Sequence, residues 1–214
     1  MFFIFIASCC FITVAYDVVD NQLSFLTRYL ESDRKKYIQK NIVKGLYLAI
    51  LSVFATFYFF FLRRWDNSVL QALAACYVSN DVMGLYLVEK LPTSTKIHHA
   101  TSGVFLLASA TIDFTTSHVG QLLVYYTYIS SLSFCVNLYL ALRLCFEIQP
   151  YWLENLHKFC KWWYLTLCII NWLTQLHLIS SLNIAAGLYT TMILLIVADD
   201  IILIKWLFKE KTVW

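Results

Sequence analysis

Glycine and proline are scarce in this chain, with five and two among 214 residues, and charged residues make up only 14%. Average soluble domains carry about 25% charge and about 45–50% apolar residues. Here 60% are hydrophobic and the mean hydropathy is +0.67. A soluble fold of this length has too little interior to hide so much apolar surface, so lipid is the expected solvent for most of the chain. A net charge of +3, with basic residues scattered between apolar blocks, argues against nucleic acid as a partner. No N-x-S/T sequon occurs, so nothing points to a glycosylated lumenal face. The seven cysteines are odd in number, contain no CxxC pair and fall mostly within apolar runs. They read as buried thiols rather than disulfides or zinc ligands. Cys145 and Cys160 flank a loop as weak candidates for acylation.

What remains is a succession of apolar blocks: Met1–Asp17, Ile42–Leu62, Val69–Val88, Ile97–Ile112, Val119–Phe146, Cys160–Ile179 and Ile184–Phe208. A bilayer core of about 30 Å takes about 20 helical residues. No alternating barrel pattern is present, and helices satisfy their own backbone in lipid. The expectation is an all-α, polytopic bundle of about seven transmembrane helices. The first and fourth blocks are short, and the fourth is expected to start before its histidines or to lie partly below the surface. Residues 1–40 read as an N-terminal transmembrane helix with a basic cytosolic loop, and 41–214 as a six-helix membrane domain. With seven spans, fourteen of the sixteen Lys and Arg residues fall on one side and only Arg63 and Arg64 on the other. That bias predicts an exterior or lumenal N-terminus and a cytosolic C-terminus. The stretch from Asp20 to Asn41 reads as a loop facing lipid headgroups, with binding of a phosphorylated or CoA-bearing substrate as the alternative. The C-terminal Lys209-Glu210-Lys211-Thr212-Val213-Trp214 has its lysines one place out of register for a di-lysine retrieval signal.

Polar side chains inside a membrane usually face a protein-lined cavity. Several here recur at helical spacing. His98, Ser102, Ser109 and Asp113 form one stripe. Tyr126, Ser130, Ser133 and Asn137 form a second, and Tyr164, Cys168, Asn171 and Gln175 a third. Gln71, Val78 and Asp81 share a face, and Asp200 lies beneath Tyr189. Each stripe alone reads as interhelical hydrogen-bond glue; together they suggest a shared polar interior. The adjacent Asp199-Asp200 reads as a pair near the interface, neutralised by Lys205 or a neighbouring lysine.

The run STKIHHATSG (residues 94–103) puts two imidazoles at a helix start. His99 lies about 100° around the helix from His98, over Gly103 and Ala110, where another helix could approach closely. As a metal site the pair is weak, because zinc takes three or four ligands and HExxH is absent; no metal is expected. A neutral imidazole in a dry cavity is a competent general base or acyl acceptor, and a carboxylate such as Asp81 can fix its tautomer. The candidate catalytic residues are therefore His98, His99 and Asp81. Ser102, Ser109, Tyr126, Ser130, Ser133, Asn137 and Asn171 are the candidates for lining the substrate cavity.

Three segments together resemble the TLC-domain family: Tyr77-Val78-Ser79-Asn80-Asp81, then His98-His99, then Ser130-Ser131-Leu132-Ser133-Phe134-Cys135-Val136-Asn137-Leu138-Tyr139-Leu140-Ala141-Leu142-Arg143. The likeness runs from about Asn41 to Trp206. His118-Val119 stands where ceramide synthases carry a second His-Asp, so the chain is nearer to the small TLC-domain proteins than to true ceramide synthases. The resemblance implies a six-helix barrel around a polar cavity in the endoplasmic reticulum, with membrane lipid as partner. It implies acyl transfer from acyl-CoA, as co-substrate, to a lipid amine or hydroxyl, sphingolipids included. The alternative it implies is a non-catalytic protein that binds lipid or regulates membrane lipid composition or trafficking.

Overall fold

The structure, a computed structural model, describes residues 1–146, 148–178 and 184–209. These form helices α1 (Phe2–Thr27), α2 (Ser32–Thr56), α3 (Asn67–Leu87), α4 (Thr93–Ser109), α5 (His118–Ser131), α6 (Phe134–Leu142), α7 (Tyr151–Leu178) and α8 (Ile184–Phe208), and no strand occurs among the described residues. A π-helical turn, Phe57–Phe61, extends α2. The joints hold the few residues suited to them. Pro92 caps α4, the Ser117 hydroxyl accepts from Gly120 N at 3.3 Å to cap α5, and the Pro150 carbonyl accepts the Leu153 N–H at the start of α7. The C-terminal run from Glu210 lies outside the described residues.

Three helices are long and apolar enough to cross a membrane: Phe2–Thr27, Ser32–Phe61 and His118–Leu142, the last being α5 and α6 as one rod. The all-helical bundle expected of a membrane protein is therefore present. The remaining rods also turn apolar side chains outward, including Leu173 and Leu176 on α7 and Leu194 and Ile202 on α8. Buried polar residues such as Asn171 and Gln175 on α7 and Asp200 on α8 point inward, which lowers mean hydropathy without wetting the outer surface.

Helix neighbours describe a ring: α2 packs on α6, α6 on α7, α7 on α8, α8 on α4, α4 on α3, and α3 back on α2. Helix α1 lies outside it, against α2 and α3, where its Ser8 hydroxyl bonds Tyr47 and Ser79. Helix α5 touches α2, α3, α7 and α8 and so plugs one half of the ring. At Leu132–Ser133 the rod breaks, and α6 moves into the wall between α2 and α7. The other half is thereby left open inside. Broken backbone at this depth needs partners, and α7 provides one: Trp163 Nε1 donates to the Leu132 carbonyl at 2.9 Å.

Several expectations change. The first helix runs ten residues past Asp17, to Thr27, and the stretch read as a cytosolic loop is helical except at residues 28–31. A Cβ added at Gly103 would meet nothing within 4 Å, so no helix approaches there. The close approach falls at Gly45 instead, where a Cβ would lie 2.7 Å from two carbons of Leu138 and 3.1 Å from the Phe134 carbonyl. Cys160 is fully buried, its thiol donating to the Cys135 carbonyl, which removes it as an acylation site.

Gly45→Val is expected to destabilise the folded protein by about 1–3 kcal/mol through overpacking of the α2–α6 seam. Gly103→Ala is expected to be neutral or stabilising by up to about 1 kcal/mol. Thermal unfolding in one detergent checks both.

Candidate functional site

The open half of the ring encloses a cavity of about 440 Å³. Every ring member contributes. Helix α2 supplies Tyr37, Lys40, Asn41, Lys44 and Leu48, at the spacing of one helix face. The α3–α4 joint supplies Lys90 and Pro92, and α4 supplies Thr95, His98 and His99. Tyr126, Ser130, Ser133, Asn137 and Arg143 come from α5, α6 and the break between them; Tyr164, Cys168 and Asn171 come from α7, and Asp199, Asp200 and Trp206 from α8. Tyr37, Lys90, Arg143 and Trp206 lie near helix ends at one pole of the bundle, while Tyr77 and Tyr126 lie deeper. Tyr77 also lines a second, apolar cavity of about 70 Å³ towards the opposite pole, with Phe59, Leu73, Ala74 and Phe105.

Two carboxylate–imidazole pairs stand at the cavity. His98 Nδ1 lies 3.1 Å from Asp199 Oδ2, and Thr95 Oγ1 donates to Asp199 Oδ1 at 3.3 Å. His99 Nδ1 lies 2.8 Å from Asp81 Oδ1, off the line of a hydrogen bond, and Lys44 Nζ donates to that same oxygen at 2.5 Å. Asp81 is fully buried, and His99 nearly so. The turn of about 100° between neighbouring helical positions explains the arrangement. Helix α4 lies between α3 and α8, so His99 reaches the carboxylate on one flank and His98 the carboxylate on the other. Their ring centres remain 5.5 Å apart.

The deep wall is a hydroxyl and amide network. Tyr164 and Tyr126 donate to Asp200 at 2.7 and 3.1 Å. Asn171 Nδ2 donates to the Ser130 hydroxyl at 3.2 Å, and Tyr189 OH to Gln175 Oε1 at 2.5 Å. At the mouth, outside the membrane-spanning segments, Lys90 donates to Asp33, whose carboxylate raises the lysine above its ordinary pKa.

Of the residues expected from sequence, His98, His99, Tyr126, Ser130, Ser133, Asn137 and Asn171 border this cavity, and Asp81 lies behind His99. Ser102 and Ser109 do not border it. Ser102 donates back to the His98 carbonyl, and Ser109, on the small apolar cavity, donates to the Leu106 carbonyl. Asp113 lies beyond the end of α4, in an exposed turn with Thr115 and Thr116. Asp81 stands beside His99, not His98; Asp199 takes His98. Asp199 and Asp200 are inward-facing ligands of His98, Thr95 and two tyrosines, not an interface pair neutralised by Lys205. Lys40, expected among headgroups, lines the cavity, and so does Lys44, which the sequence counted only towards the basic side. The signal was present: Tyr37, Lys40, Asn41, Lys44 and Leu48 share one face, obscured because Lys35 and Lys36 beside them are ordinary end residues. Among the described residues no three His, Cys, Asp or Glu side chains cluster as metal ligands.

Comparison with protein families, curated proteins and solved structures gives no match to this chain. The arrangement of side chains is therefore what bears on function: a charged lumen with an oriented imidazole at its edge.

Lys44→Met would leave the Asp81 carboxylate buried without its cation and is expected to destabilise by about 3–5 kcal/mol. Lys44→Met combined with Asp81→Leu is expected to recover most of that loss. Unfolding midpoints of the three variants and wild type check the coupling.

Proposed function

We propose that this protein is a membrane-embedded lipid-handling acyltransferase in which His98, oriented by Asp199, is the general base. The observation that carries the reading is the His98–Asp199 pair on the wall of a polar cavity inside an apolar helical bundle. All seven rods cross the bilayer in this reading, with the lysine-rich pole cytosolic. The resemblance to the TLC-domain family points the same way and suggests an endoplasmic-reticulum address.

A carboxylate only accepts hydrogen bonds, so His98 keeps its proton on Nδ1, towards Asp199, and offers the Nε2 lone pair to the substrate. The acceptor's amine or hydroxyl attacks the carbonyl carbon of an acyl-CoA thioester while Nε2 takes its proton. The carbon–sulfur bond breaks, and the departing thiolate receives that proton from the imidazolium, leaving an amide or ester and free CoA. Asp199 stabilises the imidazolium meanwhile. The small apolar cavity beyond Tyr77 suits part of a hydrocarbon chain, and the hydroxyls of Ser130 and Ser133 with Asn137 suit the polar end. His99 and Asp81 hold the wall rather than the substrate.

Purified full-length protein in nanodiscs, given acyl-CoA and a panel of sphingoid and glycerolipid acceptors, is expected to release CoA. His98→Ala is expected to lower that rate by about 10²–10⁴-fold with little change in unfolding midpoint, and Asp199→Asn to lower it through the wrong tautomer. No turnover with any acceptor would sink the catalytic reading. A co-purifying lipid without turnover would favour a lipid-binding or lipid-regulating protein, which the same cavity also suits.

A further inference from the structure

Lys40 has no counter-ion among the described residues. It is 6% exposed, one turn into the bundle from Lys36, which reaches out to Glu89 with 41% of its side chain exposed. A lysine near a membrane surface normally extends its ammonium to water; Lys40 turns to the cavity instead. Among the described residues its ammonium has no hydrogen-bond or carboxylate partner, and the ring of Tyr37 lies 5.8 Å away. Of the carboxylates nearby, Asp199 is held by His98 and Thr95, and Asp81 shares its Oδ1 between Lys44 and His99, while its Oδ2 has no hydrogen-bond partner. Gly84 lies beside both groups: a Cβ there would make ordinary van der Waals contact with Lys40 Cε at 3.4 Å and His99 Nε2 at 3.9 Å. That Nε2 is buried and also unpartnered.

A second cation, half-buried, borders the same cavity at the end of α6. Arg143 stacks over Trp206 at 4.4 Å, and its buried Nε has no acceptor; among the described residues no carboxylate pairs with it. A buried cation without a partner is costly in a low-dielectric interior. A buried lysine and a half-buried arginine on one lumen match an anion of about two charges better than a carboxylate of one, and a phosphate monoester carries about −1.5 to −2 near neutral pH. The arginine fork adds paired donors that suit phosphate oxygens.

We infer that the lysine-rich end of the cavity is a phosphate-binding site, with Lys40 and Arg143 receiving the phosphate monoester of a membrane lipid. This rests on the proposed function and deepens it by naming the charge on the lipid handled there.

The test uses full-length protein in nanodiscs of phosphatidylcholine alone or doped with phosphatidic acid, and separately with CoA or inorganic phosphate added, read by thermal unfolding. Phosphatidic acid is expected to raise the midpoint of wild type and of the exposed control Lys36→Met. Lys40→Met is expected to weaken the response by about tenfold or more, the equivalent of one charge-assisted hydrogen bond, and to match or exceed wild type in stability without anion. Lys40→Arg is expected to keep the response. A shift with CoA but not phosphatidic acid, lost in Lys40→Met, supports the phosphate site with the thioester donor as its source. Inorganic phosphate alone acting through Lys40 supports a free-anion site. Equal responses in wild type and Lys40→Met, no response to any of the three, or failure of both Lys40 variants to fold would overturn the inference. His98→Ala separates this from catalysis: it is expected to keep the anion response while losing turnover, so either claim can fail alone.

Discussion

The buried carboxylate of Asp81 organises the interior. It stands on α3 and draws in Lys44 from α2 and His99 from α4, so three walls of the ring meet at one oxygen. Water cannot substitute for those partners in a lipid-surrounded core, where an unpaired charge is far more costly than on a surface. The pairing has two further effects. It fixes the rotation of α4, which sends His98 to the opposite flank and into reach of Asp199. It also draws Asp81 Oδ1 to Lys44 and His99, and Lys40, on the same face of α2, has no ion pair or hydrogen-bond partner among the described residues.

Much of this architecture was legible in the sequence. Apolar blocks separated by brief polar joints outlined the rods, because the bilayer demands continuous hydrophobic length. The Tyr164, Cys168, Asn171 and Gln175 stripe marked an inward face, and all four are buried. Two things were not legible. Block boundaries drawn by hydropathy stop where charge begins, whereas a helix continues wherever its backbone bonds do; α1 and α2 therefore extend through residues that read as a loop. Partner choice was also hidden. Nothing in spacing tells Asp81 from Asp199 as the companion of His98, since that depends on which helices flank α4. Ser102 and Ser109 shared a stripe with His98 yet turned their hydroxyls back to their own helix, a local option open to any serine.

The lumen has a polarity gradient. Cations and the imidazole pairs lie towards one pole, amides and tyrosine hydroxyls below them, and the small apolar cavity beyond Tyr77. An amphiphile has the same order of chemistry from head to tail. The phenol of Tyr77, shared by both cavities, marks where one solvent-like environment gives way to the other.

The interruption at Leu132–Ser133 carries a consequence of its own. Were the α5–α6 rod continuous, its second part would run on through the centre and fill the space the lumen occupies. The indole of Trp163 makes the interruption tolerable by capping a carbonyl that an unbroken helix would have kept for itself. A tryptophan on the adjoining wall thus acts as a rivet for hollowness: the void survives because a neighbouring helix repairs the backbone that bends around it.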